Sequence, residues 1–163
     1  MIDKKLKLLE ELPAFQRWYV VNSGTPAETV EESMRVYRSS YATFDQIVLY
    51  LELFNPEFVE VNGLVLREGR VPDDLEEVIA RFEREGSPLS GIEYLYNHVH
   101  LHDFCLNDPD YNDIPQEVAI SIAREIEQMW RRKLTDLFPK KEFVVGVGNE
   151  DAEVEVFAYV DRT

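Results

Sequence analysis

The sequence predicts an α+β fold, a single domain in which an antiparallel sheet built from two β-hairpins (about 57–67 and 142–160) packs with four to six α-helices. Two pairs of β-rich runs lie far apart in the chain. Segments with apolar residues at steps of three and four precede them and separate them, a pattern that segregates strands from helices. The 163 residues are 45% apolar, with nine Phe and eight Tyr, enough material for one real core. No repeat, low-complexity tract or Gly/Ser linker divides the chain, so one domain spanning 1–163 is expected.

The N-terminal leucines predict a short amphipathic helix at about 3–11. Pro13 restarts a second piece through Phe15, Trp18 and Val21 that ends at Gly24. Thr25-Pro26-Ala27-Glu28 is a helix start, with threonine as cap, proline in the first turn and glutamate able to reach back. That helix is expected to run to Leu53 through Val30, Met34, Tyr37, Tyr41, Phe44, Ile47, Val48 and Leu51, with room for a break near Ser39-Ser40. Asn62-Gly63 between Phe58–Val61 and Leu64–Arg67 predicts a two-residue type I′ hairpin, because both turn residues must take positive φ. Pro72-Asp73-Asp74 opens a further helix through Leu75, Val78, Ile79 and Phe82, closed by Gly86. Ser90-Gly91-Ile92-Glu93 has the spacing of a capping box, with Leu89 and Tyr94 as its staple, and so places 91–105 in a helix. The alternative is a strand with Tyr96, His98, His100, His102 and Phe104 on one face. Asp113-Ile114-Pro115-Gln116 begins the last helix, which continues to Phe138-Pro139. Residues 143–147 and 154–160 form the second hairpin around Gly148-Asn149-Glu150-Asp151.

Charge narrows the partners. The formal net charge is −15, and residues 24–130 carry seven basic against twenty-two acidic groups. Such a field repels phosphate backbones and anionic lipid, so direct nucleic-acid or membrane binding is not expected, whereas a basic protein would be attracted. Arg131, Arg132, Lys133, Lys140 and Lys141 form one local reversal. No apolar run approaches the roughly 20 residues of a membrane helix. A single cysteine and the absence of a secretory signal pattern make the cytoplasm the expected location.

Chemistry concentrates in one place. All three histidines lie in Asn97-His98-Val99-His100-Leu101-His102-Asp103-Phe104-Cys105, and no other segment gathers metal-binding or proton-moving groups in this way. On a helix, His98 and His102 share a face and can share a metal, with His100 or Asp103 as a further ligand. On a strand, the three imidazoles line one face. Zinc, iron or manganese would suit such a set. The HExxH signature is absent, since Val99 follows His98. Asn107-Asp108-Pro109-Asp110-Tyr111-Asn112-Asp113 has the D-x-D-x-N spacing of a calcium loop but lacks its glycine and its bidentate glutamate, and Asx turns explain it better. Ser87 and Ser90 do not form a nucleophile elbow, Cys105 has the setting of a small buried hydrophobe, and Gly146-Val147-Gly148 lacks the context of a phosphate cradle.

Two functional readings result. The first is a non-catalytic acidic binding module, in concrete form a bacterial immunity protein or antitoxin-like inhibitor that caps a basic partner. The alternative is a metal-dependent hydrolase built on His98, His100 and His102, with Glu93 or Asp108 as base. The enzyme needs imidazoles that converge, whereas the binding module needs a contiguous exposed acidic and aromatic surface.

Overall fold

The computed structural model describes residues 11–22, 30–105, 113–150 and 153–162. The order of elements is α1 (Pro13–Asn22), α2 (Val30–Tyr41), α3 (Phe44–Phe54), β1 (Phe58–Val61), β2 (Leu64–Arg67), α4 (Leu75–Glu85), α5 (Leu89–Asn97), β3 (Val99–His100), α6 (Gln116–Leu137), β4 (Phe143–Glu150) and β5 (Glu153–Val160). Short 3-10 turns at Glu68–Arg70 and Leu101–Phe104 complete it. The architecture is α+β, as expected. The expected helix at about 3–11, the start at Thr25-Pro26 and most of the calcium-like loop fall largely or wholly outside the described residues.

The long helix expected up to Leu53 is two helices. The break lies after Tyr41 and not at Ser39-Ser40, whose hydroxyls both bond to the Val36 carbonyl at 2.9 Å within α2. Thr43 takes the extended conformation of a cap. Its hydroxyl accepts from Gln46 N–H at 3.3 Å, and the Gln46 side chain accepts from Thr43 N–H at 3.0 Å, a complete capping box. The first hairpin forms with Asn62 at φ 51° and Gly63 at φ 80°, the positive pair that a type I′ turn requires. Gly86 closes α4 at φ 67°.

The expected single sheet resolves into two. β1 and β2 pair alone, while β3, β5 and β4 form a three-stranded antiparallel sheet in that order. In the C-terminal hairpin the ladder runs from Phe143–Val160 out to Glu150–Glu153, so Gly148, Asn149 and Glu150 belong to strand β4 and not to the turn where the sequence put them. Alternation divides this sheet. Val154, Val156, Ala158 and Val160, with Val145, meet Ala123, Ile126, Trp130 and Leu134 of α6, which Phe58 and Val65 of the first hairpin also join. Trp130 is fully buried and its indole N–H donates to the Leu53 carbonyl at 2.8 Å, tying α6 to the end of α3. Leu64 and Leu66 point the other way, into a second core with Leu75, Val78 and Ile92.

The segment 91–105 is not one helix, and its Ser90–Glu93 capping box does not form. Pro88 stands at the cap position, and Glu93 turns inward. Its two carboxylate oxygens accept from Val65 N–H and Val160 N–H, each at 2.8 Å, so one side chain joins β2 to β5. Asn97, one turn later, does the same. It accepts from Arg67 N–H at 2.8 Å and donates to the carbonyls of Val65 at 2.8 Å and Ala158 at 3.1 Å. These bonds satisfy strand groups that would otherwise be buried without partners, and they outweigh continuation of the helix. Beyond Asn97 the chain becomes extended at His98, and Val99 and His100 pair with Val156 and Glu155.

Candidate functional site

Strand pairing assembles the site. His100 of β3 and Gly148 of β4 are both direct cross-strand partners of Glu155 in β5, so the three occupy one row on one face of the sheet. Glu153 lies two residues before Glu155 and shares that face. His98 enters from the end of α5, its ring centroid 5.1 Å from that of His100, and the His102 ring is 5.4 Å beyond. Two overlapping groups result. His98, His100 and Glu155 offer ligand atoms all within 4.8 Å of one another, as do His100, His102 and Glu153.

The first group is the more completely held. Glu155 is only 9% exposed, and the Tyr94 hydroxyl donates to its Oε1 at 2.6 Å. Its carboxylate lies across Gly148, where an added Cβ would fall 2.7 Å from Glu155 Cγ. A residue without a side chain is what that close approach requires. Tyr94 also serves His98. The two rings stack at 5.8 Å, and His98 Nδ1 lies 3.3 Å from the Tyr94 carbonyl. A carbonyl only accepts, so this contact is made by the tautomer that carries its proton on Nδ1, the one whose Nε2 can ligate a metal. His100 Nδ1 is buried without a hydrogen bond and sits 3.5 Å from Glu153 Oε2.

The other expected residues take different places. Asp103 pairs with His102 at 3.2 Å and belongs to neither group; β5 supplies the carboxylates in its stead. Glu93, expected as a base, is fully buried between strands, where Arg162 donates to both of its oxygens at 2.6 and 2.8 Å. Those hydrogen bonds hold the Arg162 pKa above the ordinary arginine value. Asp108 lies outside the described residues, and Cys105 is half-buried. Arg67 is buried against the Trp130 ring at 5.5 Å, and burial first, then Arg70, pushes its pKa below the usual arginine value, against Glu52. Of the late cations, Arg131, Lys133 and Lys141 pair with Glu127, Glu57 and Glu60.

A second feature lies on α3. Phe44, Ile47, Val48 and Leu51 occupy one helical stripe, yet are 86, 48, 65 and 56% exposed. Leu53, on the opposite face, enters the core, and Phe54, at the C-terminal edge of the stripe, packs against that core; Leu49 and Tyr50 are exposed as well. Asp45 and Glu52 are exposed on the same helix, and α3 carries no basic residue.

Sequence reasoning missed Glu153, Glu155, Tyr94 and Gly148 as site residues. Glu153 and Glu155 alternate with valines, which marks them as outward strand positions, but only the register joins them to the histidines. Among the described residues no helix is long and apolar enough to cross a membrane. Comparisons with protein families, curated proteins and solved structures find no match for this chain.

Proposed function

We propose that this chain is an acidic protein-binding module whose contact surface is the α3 stripe of Phe44, Ile47, Val48 and Leu51, and that its partner is a basic protein. The exposure of those four apolar side chains on a single helical face carries this reading. Apolar groups at i, i+3, i+4 and i+7 are the anchors by which a helix lies in an apolar groove or against a second helix, and contiguous exposed apolar surface marks interaction sites. The charge of −15 selects the partner's sign and speeds encounter with it. The concrete form is an immunity-protein or antitoxin-like inhibitor that caps its target.

Calorimetry with two amphipathic helical peptides, both with Leu at steps of three and four and with Lys at the remaining positions of one and Glu at those of the other, tests this. The parent should bind only the basic peptide, and Val48→Glu with Leu51→Glu should lower that affinity at least tenfold. Equal binding by the double variant would sink the surface assignment. Sedimentation should give a monomer, and a dimer dissolved by the same two substitutions would replace the basic partner with a second copy.

A further inference from the structure

We propose that His98, His100 and Glu155 bind one divalent transition-metal ion of the zinc class on the outer face of the three-stranded sheet. Two imidazoles and a carboxylate are a donor set that zinc accepts, with bonds of about 2.0–2.2 Å. Ligand atoms within 4.8 Å of one another need only small side-chain rotations to reach that geometry. Three protein ligands leave a tetrahedral ion one open position, as in catalytic rather than closed structural sites.

Three features of this site suit a cation. Glu155 is nearly buried, and the hydrogen bond to its carboxylate among the described residues comes from a neutral phenol. Buried carboxylates are ordinarily paired with a cation or coordinate a metal. Gly148 keeps the space that this carboxylate fills. The surrounding contacts are those that orient metal ligands, which bond outward to carbonyls, carboxylates or hydroxyls. His98 Nδ1 faces the Tyr94 carbonyl, His100 Nδ1 faces Glu153, and Glu155 accepts from the Tyr94 hydroxyl. Tyr94 therefore positions two ligands at once, one through its backbone and one through its side chain. The competing group, His100 with His102 and Glu153, uses a carboxylate that is 53% exposed. Since both groups require His100, one ion is assigned, and to the better-held set.

Zinc titration of metal-depleted protein against a chromophoric chelator, with cobalt absorption as a second readout, tests the assignment. The parent should take up one equivalent. His98→Ala and Glu155→Gln should each lower affinity at least a hundredfold. Tyr94→Phe should lower it about tenfold with the cobalt spectrum altered, the effect of losing an outer contact. His102→Ala should bind like the parent, and unchanged far-ultraviolet dichroism would show that each variant is folded. No uptake by the parent would overturn the proposal. So would a loss in His102→Ala equal to that in His98→Ala, which would move the ion to the other group.

Discussion

Glu93 and Asn97, one helical turn apart on α5, serve as hydrogen-bond partners for two strands that never pair with each other. Asn97→Leu keeps the branched shape but orphans Arg67 N–H and the carbonyls of Val65 and Ala158. A loss of about 3 kcal/mol in urea unfolding is expected, since each buried unsatisfied group costs about 1–3 kcal/mol. Arg162→Ala leaves the Glu93 carboxylate with only its two backbone donors, and about 2 kcal/mol should go with it, the pair being partly exposed at the arginine end. Because the folded pKa of Arg162 lies above its unfolded value, the stability this pair adds is fully present below the ordinary arginine pKa. It is lost only as pH rises through the still higher folded value. Gly148→Ala is a different kind of test. The Glu155 side chain can swing away from the new Cβ, so stability should fall by only about 1 kcal/mol, while zinc affinity drops much further. Equal loss of melting temperature and no loss of zinc affinity would show that the glycine serves packing alone. The sequence reading of Glu93 as a capping residue had the right spacing and the wrong partner. A capping-box pattern cannot reveal that a strand sixty residues away offers its N–H instead.

Legibility at the level of elements followed the range of the forces involved. Asn62-Gly63 and Gly86 were readable because a positive φ is a local demand that few residues meet. The course of 91–105 was not, because the chain leaves the helix where Asn97 is held by β2 and β5 and where β3 finds an open edge on β5. The strand alternative foresaw that the imidazoles would gather, but the carboxylates beside them come from residues more than fifty positions later. Periodicity found α3 and misjudged its surroundings. Steps of three and four identify a helix without saying which of its stripes is covered. The two faces of α3 should therefore respond oppositely. Val48→Glu should change stability by no more than about 0.5 kcal/mol, the ordinary surface effect. Leu53→Ala, in the core beside Trp130, should cost about 2–4 kcal/mol. Thermal unfolding of both variants decides it, and a large loss in Val48→Glu would mean that the stripe is covered within the chain.

For the whole molecule, the acidic surplus, the apolar stripe and the histidine face describe an acidic body with two separate features. The binding reading uses the first two and leaves the third to a metal. Fold class was accessible because it depends on the order of helical and strand-like patterns along the chain. Which surfaces stay uncovered depends on packing, and no composition or spacing encodes that directly. A basic partner attracted by the net charge of −15 should bind more weakly as salt rises, since screening reaches about 10 Å at 0.1 M ionic strength. The most direct test is a nitrogen–proton correlation spectrum of labelled protein, titrated with the Leu/Lys peptide at low and at high salt. The amides of Phe44, Ile47, Val48 and Leu51 should move at low salt, and the shifts should shrink as salt rises. Unmoved stripe amides, with shifts confined to the acidic start of α4 at Asp73, Asp74, Glu76 and Glu77, or shifts indifferent to salt, would contradict it.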